Sequence, residues 1–216
     1  MSRALALLSG GLDSGVAAAD HAARGGRVEV ALTFDYGQRA LARECEAARR
    51  LAGRLGAEWQ CIELPWLAAA AQQSGAALVR RDRALPVGTV EQPGDAASAA
   101  AVWIPARNAV FVAIGAAVAE SRGLDTVLAG FNREEAVTFP DNSPAFVAAA
   151  CDFLRHGTRN HVSVASPTLP WDKREIVARA RALGLAATDF WSCYEGHALP
   201  CGRCESCLRS HRAWGA

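Results

Sequence analysis

Residues 9–14 have the sequence Ser-Gly-Gly-Leu-Asp-Ser and join an apolar run, residues 4–8, to a helical pattern, residues 16–24. A strand followed by a glycine-rich turn and a helix start aims unpaired backbone N–H groups at one point, which attracts phosphate. Adjacent glycines let the backbone approach an anion closely. Asp13 would repel a bare phosphate, so it indicates a magnesium ion that bridges phosphates. The stretch therefore predicts a phosphate-binding loop that works with Mg²⁺.

The loop differs from a Walker A loop, because no Gly-Lys-Ser/Thr follows it. A glycine turn before a capped helix is the plain structural alternative. The stretch resembles the SGGxDS loop of the ATP pyrophosphatase superfamily, which implies transfer of AMP to an oxygen and release of pyrophosphate. We expect ATP to be bound by Leu8, Ser9, Gly10, Gly11, Leu12, Asp13 and Ser14, together with Phe34 and Arg107 from later segments.

Apolar runs and helical patterns alternate along the rest of the chain. This alternation favours an α/β fold with a parallel sheet of about five strands and flanking helices, similar to adenine nucleotide alpha hydrolases. Ligands of such sheets bind beyond the carboxyl ends of the strands, where the loop also lies. The predicted strands are residues 4–8, 28–34, 58–64, 126–129 and 162–166, and the predicted helices are residues 16–24, 41–55, 109–121, 144–155 and 171–183.

Composition limits the class of protein. The 216 residues suit one domain with a small appendage, and 51% apolar residues are enough for a core. The net charge of +1 speaks against extensive nucleic-acid binding. We find neither a secretory signal nor an apolar run long enough to span a membrane, so we expect a cytoplasmic protein.

We expect residues 1–190 to form the α/β domain and residues 191–216 to form a C-terminal segment that holds a cysteine cluster. Between residues 66 and 101 no hydrophobic period persists, and several Pro and Gly residues interrupt the pattern. A long segment of this kind is typical of a lid or a substrate loop, although a passive insertion has the same signature. We predict a flexible insertion there.

Two helix starts carry further signals. Asn108 precedes the apolar helix 109–121 and is a candidate cap, as Ser143 is for the helix 144–155. Arg107 would then stand near the ligand face of the sheet and pair with phosphate, unless it is only a surface arginine at a helix entry.

The C-terminal cysteines Cys193, Cys201, Cys204 and Cys207 have the spacing of a tetrahedral zinc site. An iron–sulfur cluster is the main competitor, but the bacterial ferredoxin pattern would need a further Cys-Pro. A site filled by four thiolates has no open position, so the metal would be structural. The remaining cysteines fall on apolar patterns, and we expect them in the core: Cys45, Cys61 and Cys151.

Taken together, the motifs of the chain resemble those of the 7-cyano-7-deazaguanine synthase family of queuosine and archaeosine biosynthesis over nearly its whole length. One departure is Phe-Pro-Asp-Asn-Ser at residues 139–143, where the family commonly has Tyr-Pro-Asp-Cys-Arg. The resemblance is carried by the loop at 9–14, Phe-Asp-Tyr-Gly-Gln-Arg at 34–39, Ile-Pro-Ala-Arg-Asn at 104–108, Phe-Pro-Asp at 139–141, Lys-Arg-Glu-Ile at 173–176 and the cysteine segment at 192–207.

The resemblance implies conversion of 7-carboxy-7-deazaguanine and ammonia to the nitrile at the expense of ATP. Its course would be adenylation of the carboxylate, attack by ammonia to give an amide, and a second activation of the amide oxygen. No glutaminase domain fits in this length, so ammonia must arrive free or from a partner. We also expect a structural zinc, Mg²⁺ with ATP, and a homodimer.

Asp13 and Lys173 are the candidate catalytic residues. Lys173 is the sole lysine among 23 cationic residues, which suggests a site that needs a compact ammonium to neutralise phosphate charge during AMP transfer. A chance surface lysine is the alternative. A deazaguanine presents adjacent N–H donors that a carboxylate accepts, and the substrate-binding candidates are Asn132, Glu135 and Asp141, although Asp141 could instead help to cap the next helix.

Other activities fit parts of the pattern. A related enzyme could stop at the amide or attach a deazaguanine to another molecule. A tRNA-thiolating enzyme with the same loop would need an RNA-binding addition, which the neutral charge does not favour. A zinc-dependent interaction module with a decayed nucleotide site conflicts with the complete loop, which retains Asp13.

Overall fold

The computed structural model describes residues 2–88 and 96–215. Its strands form one parallel sheet in the order β3-β2-β1-β4-β5. The predicted parallel sheet is therefore confirmed, with strand bounds within about one residue of those expected. The strands are β1 (Arg3–Leu7), β2 (Arg27–Asp35), β3 (Glu58–Glu63), β4 (Thr126–Leu128) and β5 (Ser163–Ala165).

Helices cover both faces of this sheet. Side chains alternate along β1, so that Leu5 packs into one apolar layer with helices α5 and α6 while Ala4 and Ala6 pack into the other with α1, α2 and α7. The helices are α1 (Leu12–Ala23), α2 (Leu41–Leu55), α3 (Pro65–Ser74), α4 (Ala96–Val102), α5 (Arg107–Ser121), α6 (Pro144–Gly157), α7 (Lys173–Ala182) and α8 (Glu205–Trp214).

The structure corrects three local predictions. The segment 66–101 was predicted to be a flexible insertion in which no hydrophobic period persists, but its described residues include most of α3 and of α4, while residues 89–95 lie outside the described residues. A proline in the first turn and Gly75 at φ +78° give α3 local start and stop signals. No helix was predicted in the C-terminal segment, but α8 begins at Glu205 and includes Cys207. Cys61 lies exposed on the edge strand rather than in the core.

Of the two predicted helix caps, one is confirmed and the other is wrong. Ser143 caps α6 as expected, and its Oγ accepts a hydrogen bond from Phe146 N at 3.1 Å. Asn108 does not cap α5. The helix begins two residues earlier than predicted, with Ala106 at φ 55° as its N-cap, and the Asn108 amide donates instead to the carbonyl of Asp141 at 3.3 Å.

The C-terminal segment packs against the loops at the carboxyl ends of the strands. Trp191 N donates to Gly10 O at 2.9 Å, and Arg39 forms an ion pair with Glu195 at 3.0 Å. A β-bridge joins Cys204 to Val87. Residues 191–215 thus form one wall of the region around the phosphate loop. Among the described helices, none combines the length and apolarity needed to cross a membrane.

Candidate active site

The loop at 9–14 folds back on itself at the end of β1. Ser9 N donates to Ser14 Oγ at 3.2 Å, and Gly11 N donates to Ser9 Oγ at 3.3 Å. Gly10 has φ +78°, and a Cβ added to it would lie 2.4 Å from the backbone oxygen of Glu44. The turn is therefore wedged against α2 and requires glycine at this position.

Gly130, which follows β4, supports the loop from the other side. A Cβ at Gly130 would lie 2.3 Å from Ser14 N, so only glycine lets this segment lie directly against the start of α1. No spacing in the sequence predicted this contact.

Three charged side chains from distant segments meet beside the loop. The Lys173 ammonium, at the start of α7, donates to a carboxylate oxygen of Asp13 and forms an ion pair with Glu135 Oε1 at 2.7 Å. Asp172 caps α7 and accepts from the backbone N–H groups of residues 174 and 175, which fixes where this helix starts. The other oxygen of Asp13, Oδ1, is buried and has no hydrogen-bond partner among the described residues.

Burial and mutual attraction set the charges of this cluster. Burial raises the pKa of Asp13 to about 6, although the Lys173 charge opposes the increase. Burial also acts to raise the pKa of Glu135, but the charge and hydrogen bond of Lys173 outweigh it and hold that pKa below its usual value. Burial acts to lower the pKa of Lys173, and the two carboxylates reverse this and raise it. Lys173 therefore stays charged.

Two adjoining cavities open at this cluster. The first, of ≈250 Å³, extends from the loop towards the ends of β1 and β2 and has apolar walls that include Leu8 and Phe34. Phe34 stacks on Phe111 with ring centroids 4.2 Å apart. The second, of ≈190 Å³, extends towards the cysteine segment and is lined by Leu12 and Lys173. The cavities share Gly11, Asp13, Glu44, Leu78, Arg107, Glu135, Asn142 and Tyr194.

Arg107 lines both cavities from the start of α5. Its Nη1 donates to the hydroxyl of Tyr36 at 3.4 Å, and the guanidinium lies 5.8 Å from the centre of the Tyr36 ring. Burial raises the pKa of Tyr36 to about 12, partly opposed by the Arg107 charge. This site thus holds a fixed cation and a neutral phenol side by side.

The candidate substrate residues occupy different positions. Glu135 faces both cavities, whereas Asp141 and Asn132 line neither. The Asp141 carboxylate accepts a hydrogen bond from its neighbour Asn142 at 3.2 Å. Asn132 is fully buried, and its Oδ1 accepts from Glu135 N at 2.9 Å, so it shapes the turn that carries Glu135.

Sequence reasoning missed Glu44, which lies on α2 and faces both cavities. Gln38 holds it: the amide of Gln38 donates to Glu44 Oε2 at 2.9 Å and to Phe34 O at 2.8 Å, and its oxygen accepts from Tyr36 N at 3.0 Å. Tyr194, from the cysteine segment, also lines both cavities and was not predicted.

The four cysteines converge as expected from their spacing. The ligand atoms of Cys193, Cys201, Cys204 and Cys207 lie within 4.8 Å of one another. Backbone N–H groups donate to the sulfurs, with Cys201 N 3.3 Å from Cys193 Sγ and Cys204 N 3.3 Å from Cys201 Sγ. The cluster can hold a metal ion.

Known proteins were then compared with the chain. The family model described as "Queuosine biosynthesis protein QueC" matches residues 3–216. A 7-cyano-7-deazaguanine synthase of Pelotomaculum thermopropionicum is 47% identical over 215 residues, which cover 98% of this chain and 96% of the relative. One of Methanosarcina barkeri is 44% identical over 219 residues, which cover 98% of this chain and 93% of the relative.

The fold also resembles a solved structure, a 4-thiouridine synthetase in complex with RNA and bound ATP. Its TM-score is 0.52 at 18% identity, covering 100% of this chain and 54% of that chain. At that identity the likeness concerns the fold alone. The full-length match to the family model and the relatives above 40% identity lead to one conclusion: the chain belongs to the queuosine biosynthesis protein QueC family, whose relatives named above are 7-cyano-7-deazaguanine synthases.

Proposed function

We propose that the protein is a 7-cyano-7-deazaguanine synthase that converts 7-carboxy-7-deazaguanine and ammonia to the nitrile through adenylated intermediates. The observation that carries the proposal is the junction of two cavities beside a phosphate loop, where Asp13, Lys173 and Glu135 meet. An adenylating enzyme needs this arrangement, because the α-phosphate must lie between the nucleoside and the carboxylate that attacks it.

The lining of the first cavity supports ATP binding there. The nucleoside would lie against Leu8 and Phe34, and the phosphates on Ser9, Gly11 and the first turn of α1. Asp13 has a buried oxygen with no partner among the described residues, and such an atom suits a magnesium ion. When bound, Mg²⁺ supplies charge neutralisation for the leaving pyrophosphate.

Lys173 is proposed to neutralise phosphate charge as AMP is transferred. Its ammonium is held next to the loop by two carboxylates and stays charged, so it needs only to turn from Asp13 towards the phosphates. Arg107 offers a second cation to the same junction.

Recognition of the base is assigned to acceptors near Glu135. Glu135 and Asp141 are both candidates for the ring N–H donors, with Asn132 fixing the turn that carries Glu135. Glu135 faces the cavity directly but is engaged by Lys173, whereas Asp141 would have to turn away from Asn142. A donor left unpaired in such a pocket costs about 1–3 kcal/mol, which supports assigning the ring donors to one of these two carboxylates.

The metal in the cysteine cluster is proposed to be zinc. Four convergent sulfurs fit its preferred tetrahedral coordination and leave no position for substrate, so its role is to hold the cysteine segment against the active site. Seven free cysteines suit a reducing compartment, which supports a cytoplasmic location. Ammonia as the nitrogen donor and a homodimeric assembly complete the proposal.

The experiment is to incubate the protein with ATP, Mg²⁺, ammonium and 7-carboxy-7-deazaguanine and to follow products by mass spectrometry. We expect the nitrile, with AMP and pyrophosphate. Accumulation of the amide without nitrile would move the chain to the amide-forming alternative. No AMP release that depends on the deazaguanine acid would overturn the proposal.

A further inference from the structure

Three carboxylates line both cavities: Asp13, Glu135 and Glu44. Lys173 pairs with the first two, so they are engaged by a cation. Within residues 2–88 and 96–215, Glu44 forms no ion pair. It is therefore the acidic group of the junction that remains open to a ligand.

Glu44 is held in one orientation. The Gln38 amide is buried and uses both of its N–H groups and its oxygen, so its donation to Glu44 Oε2 at 2.9 Å is fixed. No described residue donates a hydrogen bond to the other oxygen, Oε1. A carboxylate with one oxygen anchored and one available is arranged to accept a proton from a ligand.

The surroundings of Glu44 make it a better base than a surface carboxylate. Burial raises its pKa, while the hydrogen bond from Gln38 and the charge of Arg107 oppose the increase. The other titratable groups that interact with it are Tyr36, which stays neutral near pH 7, and Cys45, whose thiol pKa burial raises to about 12. Among the described residues, Arg107 is thus the charged group that acts on the pKa of Glu44, and Asp13 and Glu135 line the same two cavities.

The proposed reaction demands such a base. At neutral pH the nitrogen donor is mainly ammonium, and the nitrogen must lose every one of its protons before it forms a nitrile. Adenylation of the acid moves no proton from nitrogen, but each later step does. A carboxylate at the junction of the two substrates meets this need.

We propose that Glu44 is the general base that takes protons from the substrate nitrogen. The inference rests on the proposed function. Glu44 accepts a proton from ammonium, the nitrogen lone pair attacks the acyl carbon, and the C–O bond to AMP breaks with its electron pair leaving on AMP. Loss of one more proton from nitrogen gives the neutral amide.

The second half of the reaction, which converts the amide to the nitrile, follows the same pattern. The amide oxygen attacks the α-phosphorus of another ATP, pyrophosphate leaves, and nitrogen loses a proton to give the adenylated imidate. When the C–O bond to AMP breaks, the remaining N–H proton goes to Glu44 and its bonding pair completes the triple bond. AMP again leaves with the C–O electron pair.

The test compares Glu44→Gln with Glu46→Gln, an exposed glutamate on the same helix that forms ion pairs with Arg43 and Arg50. Two rates are measured: ATP–pyrophosphate exchange that depends on the deazaguanine acid, without ammonium, and formation of amide and nitrile with ammonium. We expect Glu44→Gln to keep exchange within about twofold and to lose product formation by about 100-fold or more. Glu46→Gln should match the wild type in both.

A second part of the test of Glu44 uses a nucleophile that is neutral near pH 7. Hydroxylamine needs no proton removed before it attacks, so it should trap the acyl adenylate in Glu44→Gln at close to the wild-type rate. The wild-type rate with ammonium should also fall at low pH, as a carboxylate with a raised pKa becomes protonated. This fall should be absent from the pH–rate profile of Glu44→Gln.

Several results would overturn the role of Glu44. Equal loss of exchange and product formation would make it part of the ATP site. A raised KM for the acid with unchanged kcat would make it a recognition group for the ring. If the wild type forms product and Glu44→Gln matches it, this inference alone fails; if the wild type forms neither amide nor nitrile, the proposed function fails and the role of Glu44 falls with it.

Discussion

The phosphate loop and the cysteine segment are both proposed to bind charged ligands, but they are supported differently. The loop lies between β1 and α1, and its close contacts with Glu44 and Gly130 come from the sheet and its helices. In the cysteine segment, Cys193 and Cys201 lie in loops, Cys204 is the N-cap of α8 and Cys207 lies in the first turn of that helix. The four ligand atoms lie within 4.8 Å of one another.

This difference predicts that the fold preorganises the phosphate loop, whereas the cysteine segment needs its proposed metal. Hydrogen bonds within the loop and its close contacts with α2 and Gly130 hold it in position. Thiolates brought so close repel one another without a cation, so the proposed metal would contribute folding energy to the cysteine segment. Changes in the loop should therefore affect chemistry with little effect on stability, and changes in the cysteine cluster should do the reverse.

The largest effect is expected for Asp13→Ala. Loss of the acidic ligand from the loop should lower pyrophosphate release by about a thousandfold, roughly 4 kcal/mol in the barrier. The melting temperature should stay close to that of the wild type, because Asp13 is a buried carboxylate with an unpartnered oxygen and its removal relieves a desolvation cost. Thermal unfolding and a pyrophosphate assay check both statements.

Retained turnover in Asp13→Ala would contradict the magnesium role. A large fall in melting temperature with equal loss of activity would instead show that the loop is not preorganised. The contrast between the phosphate loop and the cysteine segment would then be wrong.

The second effect concerns the cysteine cluster. Cys204→Ser should remove the metal and destabilise the protein by about 2 kcal/mol or more, which corresponds to a fall in melting temperature of about 4–8 °C. The exposed Cys61 provides the control, and Cys61→Ser should leave metal content and melting temperature unchanged. Elemental analysis should find one zinc per chain. Iron with sulfide, or a disulfide without metal, would refute this assignment.

Lys173→Arg tests the shape of the cation beside the loop. The guanidinium keeps the charge but is larger and planar, and it cannot replace a compact ammonium between two carboxylates. We expect kcat to fall by about tenfold, roughly 1.4 kcal/mol, with little change in melting temperature. A fully active variant would remove Lys173 from the proposed chemistry.

Base recognition is tested by comparing Asp141→Asn with Glu135→Gln. Whichever carboxylate accepts the ring donors, its amide variant should raise the KM for the deazaguanine acid by about tenfold and leave the KM for ATP nearly unchanged. If both variants change the two KM values equally, neither residue recognises the base.

The smallest effect is a pH dependence of the magnesium requirement. Mg²⁺ needs the ionised carboxylate of Asp13, and its pKa of about 6 lies above the ordinary value. As pH falls, protonation competes with the metal, so the Mg²⁺ concentration for half-maximal activity should rise by about twofold between about pH 7 and about pH 6. A requirement that does not change with pH would argue against Asp13 as a ligand.

Much of the fold was predictable, because the strands are short apolar runs separated by helices with clear periodicity. Local signals also sufficed for the loop and for the convergence of the cysteines, since both depend on close spacing. The cap at Ser143 follows the same local logic.

Contacts between distant segments could not be predicted in this way. Asp13 and Lys173 are far apart in the chain, and only the sheet brings them together. Glu44 lies on α2, whose helical pattern showed its apolar face but gave no sign that Gln38, which precedes the helix, holds Glu44 by a buried hydrogen bond. The cap assigned to Asn108 was wrong because Ala106 adopts a left-handed conformation and the helix starts earlier.

The most direct test of the central claim uses 7-carboxy-7-deazaguanine labelled with ¹⁸O in its carboxylate. If the substrate oxygens are activated by AMP, each AMP released with the nitrile should carry one labelled oxygen, and the pyrophosphate should carry none. Label in inorganic phosphate with release of ADP, or nitrile formed with unlabelled AMP, would contradict adenylation and the site built around the phosphate loop.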